Sequence, residues 1–384
     1  MNRKLRMGMV GGGRDAFIGA VHRIAAAIDG KIELVCGAFS SSADKSKDSG
    51  RDLFLPEHRV YGSWAEMITA EAALPEGERM DFISIVTPNH VHFAPAKMAL
   101  EHGFDVVIDK PATFSLEEAK ELQQVVEQTG GILALTHTYT GYPMVKQARQ
   151  LVAQGHIGTV RKVYVEYLQG WLYQKFEDDN QKQASWRTDP ARSGKAGCMG
   201  DIGTHAFNLA EYIAGCKVTE ICAELKTVVP GRLLDDDGAV LLRFNNGATG
   251  TLLATQVATG EENNIKIKVF GDKGGLEWQQ EDCNSLVVKW PDAPRQVYRA
   301  GTGYVGSAAA YNSRTPAGHP EGYLEAFANI YKNAVEAMLA KRNGTALAAD
   351  AEFPGMDAGV RGMAFIENVV DASASGIKWV PFVV

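Results

Sequence analysis

From its start to residue 138 the chain alternates short apolar runs with amphipathic stretches, and this rhythm restricts the fold more than any other feature. The apolar runs cover residues 5–10, 32–39, 81–86, 105–108 and 132–136, and helical apolar spacing fills 19–28, 93–101 and 116–128. Each run has strand length and little polar alternation, so both of its faces need cover. Helices between such strands supply it, which predicts a parallel sheet wrapped on two sides.

The rhythm then breaks. Helical spacing at 144–154 leads into Val160–Leu168, where side chains alternate as Val-Tyr-Val-Glu-Tyr-Leu. Residues 174–197 are polar and irregular, and 201–214 has helical spacing. Strand-like runs follow at 218–229, 238–244, 248–255, 265–271 and 274–278, with Asn245-Asn246-Gly247 as a hairpin turn. Residues 323–339 and 357–373 read as helices. The expected fold class is α/β: a doubly wound parallel domain over 1–138, then an α+β domain over 139–384 with a large open, mainly antiparallel sheet. The last helix is free to pack back on the first domain. A length of 384 residues also suggests two domains.

Composition narrows the partners. Hydrophobic residues are 45% and charged residues 22%, which supports a packed core. The net charge is −7 and no basic stripe occurs, which argues against a nucleic-acid partner. No apolar stretch is long enough for a bilayer, so no membrane partner is expected. The five cysteines are Cys36, Cys198, Cys216, Cys222 and Cys283, with no Cys-x-x-Cys pair. That speaks against a disulfide framework or a metal site and for a reducing cytoplasm. Met1–Arg6 is basic like the start of an export leader, but Met7–Val10 is too short for its apolar core.

Gly11-Gly12-Gly13 follows the first apolar run and precedes a helix. Glycine permits the tight turn and lets phosphate oxygens approach the backbone. Gly11 and Gly13 occupy fingerprint positions of a dinucleotide site. The third position falls on Ala16, so the loop is longer, with Phe17 and Ile18 beside the cofactor and Gly19 in the packing role. An acid is expected after the second run to bind ribose hydroxyls. Ser40 and Ser41 stand there instead, with Lys45 and Lys47 nearby and no arginine. Serines bond either a ribose hydroxyl or a phosphate, so the reading leans to NAD over NADP. Thr87, Asn89 and His92 either contact the nicotinamide end or form a strand–helix junction capped by Asn89.

Two further stretches carry proton chemistry. Asp109-Lys110-Pro111 ends the fourth apolar run, where ligands gather in open α/β sheets. Asp201-Ile202-Gly203-Thr204-His205 opens a helix, and a spacing of four puts Asp201 and His205 on one face. Oxidising an alcohol removes a hydride and a proton. Histidine starts near pKa ~6.5 and accepts that proton unaided, while lysine at ~10.4 must first be lowered. Asp201 either bonds the substrate or orients the imidazole. Gly203 costs a helix about 1 kcal/mol against Ala, which suggests a close approach to its backbone.

With these residues in hand, the chain resembles the Gfo/Idh/MocA oxidoreductases, the glucose–fructose oxidoreductase and inositol dehydrogenase family, over nearly its whole length. Asp109-Lys110-Pro111 is similar to the family's Glu-Lys-Pro motif, with Asp for Glu. Gly200–His205 resembles its Asp-x-Gly-x-His motif, with Asn208 where another Asp is usual. Thr87-Pro88-Asn89-x-x-His92 also follows its pattern. The resemblance implies a Rossmann domain and a second domain whose sheet mediates homodimers or homotetramers. It also implies NAD(P)-dependent oxidation of a ring hydroxyl of a polyol or sugar. Lys110 would bond the reacting oxygen and the nicotinamide ribose, His205 would be general acid/base, and Asp201 would orient substrate or base. The nearest type is the scyllo-inositol and L-glucose dehydrogenases. Trp171, Tyr173, Trp186 and Arg187 offer an aromatic wall and donors, with Trp186 and Arg187 also reaching the cofactor, against core packing for the tryptophans and a surface ion pair for Arg187. His319 would add a donor from its own or a neighbouring subunit. Two other readings compete: an NAD-dependent glycosidase or 3-keto-glycoside-forming dehydrogenase of the same family, and a non-catalytic nucleotide sensor.

Overall fold

The computed structural model describes residues 3–14, 16–179 and 181–384. Met1 and Asn2 of the basic N-terminal stretch, Asp15 of the glycine loop and Asn180 lie outside the described residues. Two compact units result: Met1–Thr138 with Tyr323–Val360, and Tyr139–Gly322 with Arg361–Val384.

The first unit carries a five-stranded sheet in the order β2-β1-β3-β4-β5. Its strands are β1 (Leu5–Gly11), β2 (Ile32–Ala38), β3 (Phe82–Val86), β4 (Asp105–Ile108) and β5 (Leu133–Leu135). All the pairings are parallel. Every residue of β3 and β4 is buried, which is why those runs lack polar alternation. Met7, Met9, Phe82 and Val107 pack with Phe327, Ile330 and Met338 into one core. The last three come from the helix Tyr323–Asn343, so the first unit extends beyond residue 138 and takes the penultimate long helix. Polar bonds fix it there: Tyr331 Oη lies 2.7 Å from His22 Nδ1, and the Arg342 guanidinium pairs with Asp81.

The second unit carries a nine-stranded sheet ordered β13-β12-β11-β10-β6-β9-β8-β7-β14. These are β6 (Val160–Leu168), β7 (Val218–Lys226), β8 (Asp237–Phe244), β9 (Thr249–Thr255), β10 (Asn264–Gly271), β11 (Gly275–Gln279), β12 (Ser285–Lys289), β13 (Gln296–Arg299) and β14 (Val380–Pro381). Only β6 and β9 run parallel; the other pairings are antiparallel. Gly247, at φ +85°, closes the β8–β9 hairpin. Phe207 stacks on Phe365 at 4.6 Å between ring centres, and buried Trp278 packs on Tyr142 at 5.2 Å. Among the described residues no helix is long and apolar enough to cross a membrane.

Candidate active site

In the first unit the nucleotide end is built from backbone. Gly11 and Gly12 sit at φ +80° and +72°, a region that disfavours any residue with a Cβ. A Cβ on Gly13 would lie 2.6 Å from Ser49 Oγ and 2.8 Å from the Phe39 carbonyl. A Cβ on Gly19 would lie 2.4 Å from the Gly12 Cα, so Gly19 does pack helix against turn, and Gly12 joins the fingerprint. The helix Phe17–Ile28 starts with no side-chain cap and no acid in its first turn. Its amide donors and positive dipole end therefore suit a diphosphate. A cavity of about 430 Å³ lies beside the turn, lined by Gly12, Gly13, Phe17 and Arg23 among others. These residues fit a dinucleotide. Past β2, Ser40 Oγ accepts from the Ser42 amide at 3.2 Å, while Ser41 and Lys45 are exposed. Arg14 is held by Asp48 and Asp52.

His92 sits in the strand–helix junction that is the alternative to a nicotinamide contact. Its imidazole is fully buried, with Nδ1 2.8 Å from the Pro111 carbonyl and Nε2 2.8 Å from the Thr87 carbonyl. It ties the loop after β3 to the loop after β4. Asn89 is buried and opens a short 3-10 turn, and the helix Phe93–Glu101 has no side-chain cap, so the capping alternative for Asn89 does not hold. Thr87 Oγ1 donates to the Val91 carbonyl at 3.2 Å.

Lys110 follows β4, and the Lys110–Pro111 peptide is cis. The Asp109 carboxylate accepts from the Lys110 amide at 2.9 Å and from Thr136 Oγ1 at 2.8 Å. Its other oxygen lies 3.9 Å from His22 Nε2. Burial pushes His22 down to about 4, against the pull of Asp109. Burial, helped by the Lys110 charge, pushes His137 down to about 3. Both imidazoles are therefore neutral near pH 7.

In the second unit the site is built from side chains. Asp201 lies in a π-helical turn, Met199–Gly203, and His205 in the helix Thr204–Ala214 that follows. The expected single helix face is thus a wide turn joined to a helix. A Cβ on Gly203 would meet the Met199 sulfur at 2.6 Å, so a side chain of its own turn, rather than a passing backbone, accounts for that glycine. Asp201 accepts from Gln256 Nε2 at 2.8 Å and from Arg187 Nε at 3.1 Å. The Arg187 guanidinium lies 4.3 Å from the Trp186 ring centre and 5.9 Å from that of Trp171. Trp171 Nε1 donates to Gln169 Oε1 at 3.0 Å. Arg187 thus makes an ion pair, but a part-buried one with Asp201 rather than the surface pair named as its alternative.

His205 is nearly buried, with its ring 4.9 Å from Tyr139 and 6.3 Å from Tyr167, both edge-on. The two phenols bond each other, and Tyr167 Oη donates to Asn263 Oδ1 at 2.8 Å. Burial raises the Tyr139 phenol, so it stays a neutral donor. Gln256, Asn263, Tyr139 and Tyr167 were not singled out by the sequence. The signal was topological: β6 and β9 are parallel and β10 runs back along β6, with Leu168 paired to both Thr255 and Asn264. Gln169, Gln256 and Asn263 therefore meet where the central strands end. Tyr173 is exposed against Phe176, and His319 is exposed with Nδ1 3.3 Å from the Pro316 carbonyl. Among the described residues no group of three or more His, Cys, Asp or Glu is placed to hold a metal.

Comparison with known proteins agrees with this division. The model of an oxidoreductase family with an NAD-binding Rossmann fold matches residues 5–137, and that of the GFO/IDH/MocA C-terminal domain matches 145–277. The uncharacterized oxidoreductase YfiI of Bacillus subtilis is 33% identical over 100% of this chain and 98% of its own length. An oxidoreductase structure from Sinorhizobium meliloti is 44% identical with a TM-score of 0.89, covering 99% of this chain and 100% of that one. An inositol dehydrogenase homolog from Azotobacter vinelandii, complexed with NADH and myo-inositol, is 32% identical with a TM-score of 0.92, covering 100% and 98%. The chain belongs to the Gfo/Idh/MocA family of NAD-binding oxidoreductases.

Proposed function

We propose that this oxidoreductase dehydrogenates a ring hydroxyl of an inositol or a pyranose sugar, with NAD preferred over NADP. The observation that carries the reading is the network around Asp201 and His205: amide and phenol side chains beside Trp171, with the Arg187 charge balanced by Asp201. Several fixed donors and acceptors next to an aromatic wall suit a ring bearing many hydroxyls. The Azotobacter homolog that binds myo-inositol lends the same support.

Bound NAD supplies the acceptor for the hydride that leaves the carbon with its electron pair. The turn at Gly11–Gly13 and the start of the helix at Phe17 would hold its diphosphate, and Ser40 and Ser41 its ribose. Thr87 and Asn89 would line the nicotinamide end, with Phe17, Ile18 and Lys45 around the nucleotide and Trp186 on the substrate side. Lys110 bonds the reacting oxygen and stabilises negative charge as it develops there. The hydroxyl proton passes to a His205 ring nitrogen. Asp201, anchored by Gln256 and Arg187, orients the substrate against that ring. Arg187 and the indole of Trp171 grip the remaining hydroxyls, and Tyr173 and His319 would add donors at the rim. NAD is favoured because Arg14 is engaged by Asp48 and Asp52, which leaves the exposed Lys45 and Lys47 as cations near Ser40 and Ser41.

The test is a panel of inositols, hexoses and glycosides offered with each cofactor while nicotinamide absorbance is followed. Net NAD reduction with at least one free ring polyol is expected. Release of an aglycone without net absorbance change, or no turnover at all, would defeat the reading.

A further inference from the structure

The network around Asp201 needs something to hold its two halves, and the motifs do not name it. It stands in the lead-in to β8, at Asp235 and Asp236. Asp236 is buried and Asp235 half-buried. Each is committed to a different segment.

Asp235 grips the turn that carries Asp201. One carboxylate oxygen accepts from the Gly197 amide at 2.7 Å and the other from the Met199 amide at 2.8 Å. Its carbonyl accepts from the Cys198 amide at 2.8 Å. The fit is close enough to dictate glycine, since a Cβ on Gly197 would lie 2.3 Å from the Asp235 carbonyl oxygen. Three consecutive amides entering the π-helical turn are thus fixed by one residue. Burial raises this carboxyl while the two amides pull it back.

Asp236 grips the other half. Its carboxylate accepts from Arg232 Nη1 at 3.1 Å and from the Val228 and Val229 amides at 2.6 and 3.0 Å. The Arg232 side chain is 1% exposed and uses its whole fork. It donates to the Leu172 carbonyl at 2.8 Å, the Gln174 carbonyl at 2.6 Å and both oxygens of Glu177 at 2.9 and 3.2 Å. Those residues flank Trp171 and Tyr173. The Asp236 carbonyl also accepts from the Gln256 amide at 2.9 Å, and the Gln256 side chain bonds Asp201.

Buried acids and arginines carry a desolvation cost that well-packed apolar residues of the same volume avoid. Their presence here calls for a role in geometry, because directional bonds fix a segment more narrowly than apolar contact does. We propose that Asp235 and Asp236 divide the positioning of the site: Asp235 sets the turn bearing Asp201 and His205, and Asp236, through Arg232, sets the segment bearing Trp171 and Tyr173. The inference rests on the proposed function for its kinetic consequence but not for its structural one. Neither acid touches the reacting atoms; both are positioning residues.

The experiment compares Asp235→Asn with Arg232→Lys by two readouts. Amide hydrogen exchange of the unliganded protein reports which segment loosens. Asp235→Asn speeds exchange in peptides covering 196–207 and leaves 169–179 near wild type; Arg232→Lys does the reverse. Steady-state kinetics on the best polyol of the panel then separate the roles. Asp235→Asn lowers kcat about tenfold or more with KM within about twofold, and Arg232→Lys raises KM about tenfold with kcat within about twofold. If either variant fails to fold, Asp235→Glu or Glu177→Gln replaces it with the same expected split. Both segments loosening together, or both variants lowering the same parameter, overturns the proposal, as does wild-type exchange in both. A wild type inactive on every polyol would defeat the function alone, and the exchange pattern would still decide this inference.

Discussion

The two units reach specificity by different means. In the first, Gly11, Gly12, Gly13 and Gly19 build the candidate nucleotide turn within one short stretch, and what matters is the absence of side-chain atoms. In the second, Tyr139, Tyr167, Gln169, Arg187, Asp201, His205, Gln256 and Asn263 come from six separate segments, and what matters is which polar atom each brings. A backbone-built site is local and intolerant of added bulk. A side-chain-built site is assembled by sheet register and is sensitive to lost donors. Variants can separate these modes.

The largest effect is expected at His205. His205→Ala should lower kcat by about a thousandfold, since a positioned general base contributes roughly 10²–10⁴. NADH affinity, measured by fluorescence titration, should stay within about twofold. Loss of both together would erase the contrast between the units. Next is Gly19→Val. Its Cβ would fall on the Gly12 backbone, which cannot yield as a side-chain end can. Overpacking of this kind costs about 1–3 kcal/mol. The NADH dissociation constant should rise at least about tenfold, and the melting temperature should fall. A variant that binds NADH normally would show that the turn is not the diphosphate cradle.

Gln256→Leu removes one neutral bond to the Asp201 carboxylate. A hydrogen bond to a charged group is worth about 1.5–3 kcal/mol, so kcat/KM should fall about tenfold to a hundredfold with NADH binding unchanged. An unchanged kcat/KM would remove Gln256 from the site. The pH response sharpens the comparison from the stability side. His22, held at about 4 by burial, takes up in the unfolded chain a proton that the folded chain refuses, beginning near its ordinary 6.5. Stability should therefore be complete above about pH 6.5 and fall as pH drops towards 4, at about 1.4 kcal/mol per unit for each such histidine. His137, pushed to about 3, adds to the same slope in the same unit. His22→Gln should make the acid limb shallower in urea melts; an unaltered slope would mean the ring is charged when folded. The smallest effect belongs to Lys45→Ala, which should change the KM for NAD by less than about twofold because its ammonium is exposed and screened.

The contrast also explains what could be read in advance. β1 to β5 are visible as apolar runs because strands buried on both faces must be apolar. The helix Ala43–Asp52 is not, since its buried positions are Ser46, Ser49 and Gly50 and no apolar period exists to detect. β12 to β14 escaped for a related reason: they are short, and β13 and β14 lie at the sheet edges with exposed residues. The chemistry-bearing motifs at Lys110 and at Asp201–His205 stand out locally. The partners of Asp201 do not, because Gln256 lies 55 positions away and reaches it only where the π-helical turn packs against β9. His92 stands out as a motif histidine at a strand end, but its burial between the Pro111 and Thr87 carbonyls is set by tertiary packing that the motif does not show.

The central proposal is that Lys110 and His205 act on one hydroxyl, Lys110 at its oxygen and His205 on its proton. A double-mutant cycle on kcat/KM, using Lys110→Ala, His205→Ala and the pair, tests it most directly. The account predicts strong non-additivity, with the double variant little worse than the poorer single one. Losses that simply multiply, or a His205→Ala enzyme that keeps its turnover, would contradict it.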